Sequence, residues 1–143
     1  MYNLERFINA QEQAYPIALE EIKKGKKRSH WMWYIFPQLK GLGMSGFTEF
    51  FGIDGIEEAQ AYLENEYLKK HLIEISEELY KKDGKISNIL KYPDNLKLQS
   101  SMTLFNYVDP DTKIFKQILD KFYDGEEDKK TLDLLENRYY RVR

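Results

Sequence analysis

The chain contains no cysteine. Disulfides, thiol catalysis and cysteine-held metal sites are therefore excluded. Histidine is nearly as scarce, with only His30 and His71. Neither HxxxH nor HExxH spacing occurs, so a zinc site would draw most of its ligands from carboxylates. The phosphate-loop pattern GxxxxGKS/T is absent too, and no cofactor is expected. No sign of charge dominates: 22 basic against 24 acidic residues leave a net charge of −2. That balance argues against wholesale coating of nucleic acid, while leaving room for one basic patch. Long apolar runs are missing as well. The longest, Trp31 to Phe36, is far short of the roughly 20 residues that span a bilayer. The first residues, MYNLERF, are polar and show no signal peptide, so a cytoplasmic protein with no membrane partner is expected.

What is present fits one globular domain covering residues 1–143. A chain of this size buries roughly 65–70% of the surface its unfolded form exposes, enough to fold without staples. No fixed-period repeat, low-complexity tract or dividing linker appears. Eleven of the aromatic residues are tyrosines, whose polar tips suit the rim of a core or groove.

The pattern is helical nearly throughout. Asn3 can cap a first helix, and Pro16 either kinks it or opens the next. Within the continuation to Lys24, acids come early and lysines late, which suits the helix dipole. Gly25 is placed to stop it. Ser29 can cap a short helix from His30 to Phe36 that Pro37 ends; the same apolar run could be a buried strand, but no other strand is evident to pair with it. Gly41 and Gly43 mark a turn. Ser45 can cap a helix to Phe51, Asp54–Glu57 has capping-box spacing, and Asn65 can cap the longest helix, ending by Asp83-Gly84. Ser87 to Leu90 reads as one turn, and Pro93 opens a helix from Asp94 to about Tyr107. Asp109 to Asp111 is a turn and cap before an amphipathic helix stopped by Gly125. Asp128 caps the last helix, whose tail, 138–143, is expected to fray. The expected fold is all-α, a single domain of seven or eight short helices in irregular orthogonal packing.

Function points to two stretches. The first, Lys26 to Gly43, combines basic residues, a Ser-His pair, both tryptophans and the double-glycine turn. Lys23, Lys24, Lys26, Lys27 and Arg28 form either a solvated helix end or an anion site. Arg28 is the best anion contact, because a guanidinium grips a phosphate or carboxylate at two points. Ser29 is either a helix cap or a ligand contact. His30 is either a structural histidine or a catalytic one. Trp31 and Trp33 would point about 200° apart on a helix, so at most one lies deep in the core. The other can offer a stacking platform for a base or sugar ring. Gln38 can present a fixed amide, and Gly43 lets backbone approach a ligand closely. The second stretch is Asp94 to Phe105. On a helix Asp94, Lys97, Ser101 and Leu104 share a face. That row is either an ion pair with small hydroxyls or a ligand-facing stripe, with Lys97 and Ser101 as contacts and Asp94 as a candidate general base.

Together the strings KRSHWMW, FPQL and GLG in the first stretch, and Asp94, Lys97-Leu98 and SSMTLF in the second, resemble the two signatures of the bacterial domain-of-unknown-function family eighteen-ten. Leu4, Phe7, Ala10-Gln11, Glu58-Ala59, Ala61-Tyr62-Leu63 and Thr131-Leu132 also fall where its pattern has them, so the resemblance covers essentially the whole chain. Departures lie in loops: Asn65-Glu66 stands where the family often has His-Pro, and Lys91 where it often has Gly. The resemblance implies a compact all-α domain and no established reaction. Members sometimes carry the label calpastatin, but nothing here resembles an inhibitory repeat. A looser similarity, in length and in its Trp and Lys…Met residues, is to the helical NADAR-type ADP-ribose N-glycosidases, without residue-by-residue correspondence.

Three functions compete. Both stretches could line one cleft for an anionic nucleotide-like or sugar-phosphate ligand, with or without catalysis by His30 and Asp94. They could form an open aromatic and basic patch for a protein or nucleic-acid partner. Or they could be a structural keystone, in which case both tryptophans should be buried and His30 saturated by backbone carbonyls. The ligand reading requires the two stretches to lie within about 15 Å of each other.

Overall fold

Pro16 does not divide the first helix. The computed structural model describes residues 2–43 and 45–142, with side chains to residue 137. Its first helix, α1 (Glu5–Lys24), continues through the proline. Pro16 is exposed, so the carbonyl that loses its partner one turn earlier faces water rather than the core. The opposite face buries Phe7, Gln11, Tyr15, Ala18 and Ile22, spaced as one helical stripe. Asn3 does not cap this helix; Leu4 occupies the cap position and no side chain bonds there. Gly25 ends it as expected. Its φ of 84° is left-handed, and it and Lys26 return their N–H groups to the carbonyls of Ile22 and Glu21.

Seven further helices follow among the described residues: α2 (Met32–Ile35), α3 (Gly46–Phe51), α4 (Ile56–Glu64), α5 (Glu66–Tyr80), α6 (Asp94–Val108), α7 (Ile114–Tyr123) and α8 (Lys129–Val142). One 3-10 turn, Ile86–Asn88, precedes α6. The only ladder among them is a single parallel bridge between Leu39 and Ile53. The apolar run after Ser29 is thus helical and not a strand. The tail expected to fray continues as helical backbone to Val142, and its side chains lie outside the described residues.

Local caps behave as their residue types dictate. Ser45 accepts from the Thr48 N–H at 3.1 Å, Asn65 from Leu68 at 3.0 Å and Asp128 from Thr131 at 3.0 Å. The Asp54 capping box does not form. Gly55 is the cap of α4, and the carboxylate that reaches back is Glu58, accepting the Asp54 N–H at 2.7 Å. Asp109 to Asp111 makes the expected turn, with the Thr112 N–H donating to the Asp109 carbonyl at 3.2 Å, but not the cap, since Lys113 holds that position in α7 without a side-chain bond.

A single core joins these helices. α1 packs on α5, α7 on both α5 and α6, α4 on α5 and α6, and α8 on α6. Trp31, Phe36, Tyr62, Met102, Phe105 and Phe115 fill it. Two buried polar knots cross it. Gln11 donates to the Tyr34 carbonyl and the Tyr62 hydroxyl, at 2.7 and 3.1 Å. Its oxygen therefore accepts from Nδ1–H of His71, at 2.8 Å. The His71 ring lies 3.6 Å from that of Tyr15, parallel to it, and burial pushes its pKa below the ordinary value.

The second knot is Arg6. Its guanidinium bonds the carbonyls of Phe50 and Gly52 and pairs with Glu58 at 2.8 Å, tying α1 to α3 and α4. Both side chains are under a tenth exposed, at 8% and 3%. Removing one partner of such a pair leaves a buried charge behind, which costs more than the pair itself contributes. Arg6→Met should therefore lower unfolding stability by about 3–5 kcal/mol in a denaturant titration; a loss below about 1 kcal/mol would mean Glu58 finds another partner.

Candidate functional site

The first signature loop is held by a residue outside it. Glu21, in the last turn of α1, accepts four hydrogen bonds from the returning chain. Oε1 receives the backbone N–H of Arg28 at 2.8 Å, that of Ser29 at 3.0 Å and the Trp31 indole N–H at 2.8 Å. Oε2 receives the Ser29 hydroxyl at 2.6 Å. Burial alone would raise the Glu21 pKa. The four donors outweigh it and hold the carboxyl at about 2, below its ordinary 4.5. Glu20 and Glu21 thus sit at the end of α1 that the helix dipole disfavours for acids, and not at the start of a new helix.

Ser29 is consequently not a helix cap: Trp31 is the cap residue of α2, and the Ser29 hydroxyl is spent on Glu21. Trp31 is buried at 1% exposure, while Trp33 is only partly buried. At most one indole is expected deep in the core and only Trp31 is there, although as the cap of α2 it stands outside the helix; Trp33 lies at the edge of a slot. His30 is exposed. Its carbonyl accepts from the Tyr34 hydroxyl at 3.2 Å, and among the described residues no hydrogen bond reaches its imidazole. Both conditions of a purely structural role therefore fail.

The two signatures meet. Lys27, whose side chain is only 10% exposed, places Nζ 3.0 Å from Oδ2 of Asp94. The Lys97 Nζ lies 3.6 Å from the other oxygen of Asp94 and 5.2 Å from the centre of the Trp33 ring. Beside this chain of contacts opens a cleft of about 240 Å³. It is lined by Gln38, Leu42, Gly43 and Thr48 from the 38–48 segment, by Pro93, Leu96, Lys97 and Ser100 at the start of α6, and by Asp128 and Lys130. A smaller slot of about 10 Å³, room for one water, adjoins it and carries Trp33. Gly43 is needed for tightness: a Cβ there would fall 2.7 Å from the Thr48 methyl.

Of the expected contacts, Gln38, Gly43 and Lys97 line the cleft, Trp33 lines the slot beside it, and Asp94 stands behind Lys97. Arg28, Ser29 and His30 are not in its lining. Ser101 is wholly buried, its hydroxyl without a partner, and Ser100 faces the cleft instead. Helix phase explains the exchange. Successive residues turn by about 100°, so Ser101 leans from Lys97 toward the buried Leu98, Met102 and Phe105, and Ser100 leans the other way. Thr48, Ser100 and Lys130 were not legible as site residues. For Glu21 a signal existed, an acid in the last turn of a helix that ends in lysines. Among the described residues no cluster of three or more His, Asp or Glu could hold a metal ion.

The family model described as "Protein of unknown function (DUF1810)" matches residues 1–135. The chain belongs to this family. A solved structure, described as the conserved hypothetical protein Rv1873 from Mycobacterium tuberculosis, is similar at 44% identity and a TM-score of 0.91. The match covers 92% of this chain and 95% of that one. No curated protein matches. Among the described residues of this family member no helix is long and apolar enough to cross a membrane.

Because the Glu21 carboxyl titrates near 2 when folded and near 4.5 when free, its charged form stabilises the fold. That contribution is complete above about pH 4.5 and is lost as pH falls toward 2. Glu21→Gln should lower the melting temperature at pH 7 and flatten the acid limb of the stability curve between these values. Parallel wild-type and variant curves across that window would show that Glu21 does not organise the loop.

Proposed function

We propose that the cleft between the 26–43 and 94–105 stretches binds a small anionic ligand of the nucleotide or sugar-phosphate kind. The observation that carries this reading is Lys97, which touches both the Asp94 carboxylate and the Trp33 ring while lining the cleft. The cleft lining itself carries Lys97 and Lys130 against Asp128, an excess of one positive charge, and Asp94 behind it is paired with Lys27. The Asp128 carboxylate is already engaged by the N–H and hydroxyl of Thr131. Lys130 has no ion-pair partner, and the Gln38 side-chain amide no hydrogen bond, among the described residues. These are groups a ligand would satisfy. Asp94 serves here to hold two lysines in place. Both of its oxygens are already committed to lysines, at 3.0 and 3.6 Å, so the reading is one of binding first. Arg28 and His30 are not needed by it.

A thermal-shift series with AMP, ADP-ribose and ribose 5-phosphate tests this. A true ligand at a hundred times its dissociation constant adds about 2.7 kcal/mol of stability. At least one of these should raise the wild-type melting temperature, and Lys97→Ala should abolish the rise while Arg28→Ala keeps it. If none shifts the wild type, or if Lys97→Ala shifts as wild type does, the cleft is not the binding site.

A further inference from the structure

Trp33 already has a ring stacked on it. The Phe47 side chain lies with its ring centre 4.7 Å from that of Trp33 and only 25° from parallel. Phe47 is no core residue: it is 57% exposed, and Trp33 is its sole ring partner among the described residues. It comes from α3, next to Thr48, which lines both the slot and the cleft. An exposed phenylalanine thus spends its one aromatic contact on the indole at the cleft edge.

We infer that Phe47 is a stand-in for the ligand's own ring. The site selects a base-bearing phosphate, a nucleoside monophosphate and not a bare sugar phosphate, and the base takes the place of Phe47 on Trp33. This rests on the anion-cleft reading and narrows its substrate class. Two observations support it. The Lys97 ammonium stands 5.2 Å from the same ring, so a base stacked on Trp33 would bring its phosphate within reach of a cation. The displaced phenyl has somewhere to go, an open apolar surface that Phe47 shares with Gly46, Phe50 and Phe51. Rotation of one exposed side chain is enough; the helix need not move.

The exchange makes Phe47 a competitor, which gives it an unusual mutational signature. In calorimetric titrations, Phe47→Ala should bind AMP about 2- to 10-fold more tightly than wild type, the fold-change equivalent of losing one aromatic pair. Ribose 5-phosphate should bind both proteins alike and more weakly than AMP. Trp33→Ala should bring AMP down to the ribose 5-phosphate level. If Phe47→Ala leaves AMP affinity unchanged or weakens it, Phe47 is not a stand-in. Equal affinity of wild type for AMP and ribose 5-phosphate overturns the ring claim while leaving the anion cleft intact. Binding of neither at millimolar concentration removes both.

Discussion

Four donors on one carboxylate fix the signature loop. Glu21 sits where the helix dipole is unfavourable to an acid, and the chain that doubles back after Gly25 supplies the compensation. Each of its hydrogen bonds is charge-assisted, so each is stronger than a bond between neutral groups. The indole N–H among them orients Trp31 into the core. With Trp31 fixed, Trp33 is left on the slot beside the cleft, and Lys27 is carried to Asp94. The site therefore depends on a residue that does not line it.

The two signatures divide their labour. Trp31, Phe36, Met102 and Phe105 are packing; Gln38, Gly43 and Lys97 face the cleft and Trp33 the slot beside it. The boundary falls between neighbours, Trp31 and Trp33 on one element, Ser100 and Ser101 on the other. The core-facing and cleft-facing residues thus alternate along the same two stretches. A change on the core face moves the cleft face with it, because both hang on one backbone.

Much of the fold was legible because it is local. Ser45, Asn65 and Asp128 cap their helices through bonds three residues long, and Gly25 stops α1 by its own backbone freedom. What could not be read spans distance. Glu21 to Trp31, Arg6 to Glu58 and Gln11 to His71 join elements whose meeting no single stretch announces. Pro16 does not open a new helix because its cost depends on which way it faces, and it faces water. The cleft itself was legible in outline, two unusual stretches expected to meet. Its lining was not, because the choice between Ser100 and Ser101 turns on where the core lies. Thr48 and Lys130 come from segments with nothing unusual in them.

Leu39 and Ile53 form the neck of the segment that carries Gly43, Phe47 and Thr48. The Lys40 N–H donates to the Ile53 carbonyl at 2.7 Å, and the Ile53 N–H to that of Gln38 at 2.9 Å. A clasp of this kind separates what is above it from what is below. Insertions beyond the neck are thermodynamically mild, about 0.6 kcal/mol for a doubling of loop length. The wall carrying Phe47 can thus be re-tailored as a cassette, changing the shape of the cleft while the helices beneath keep their arrangement.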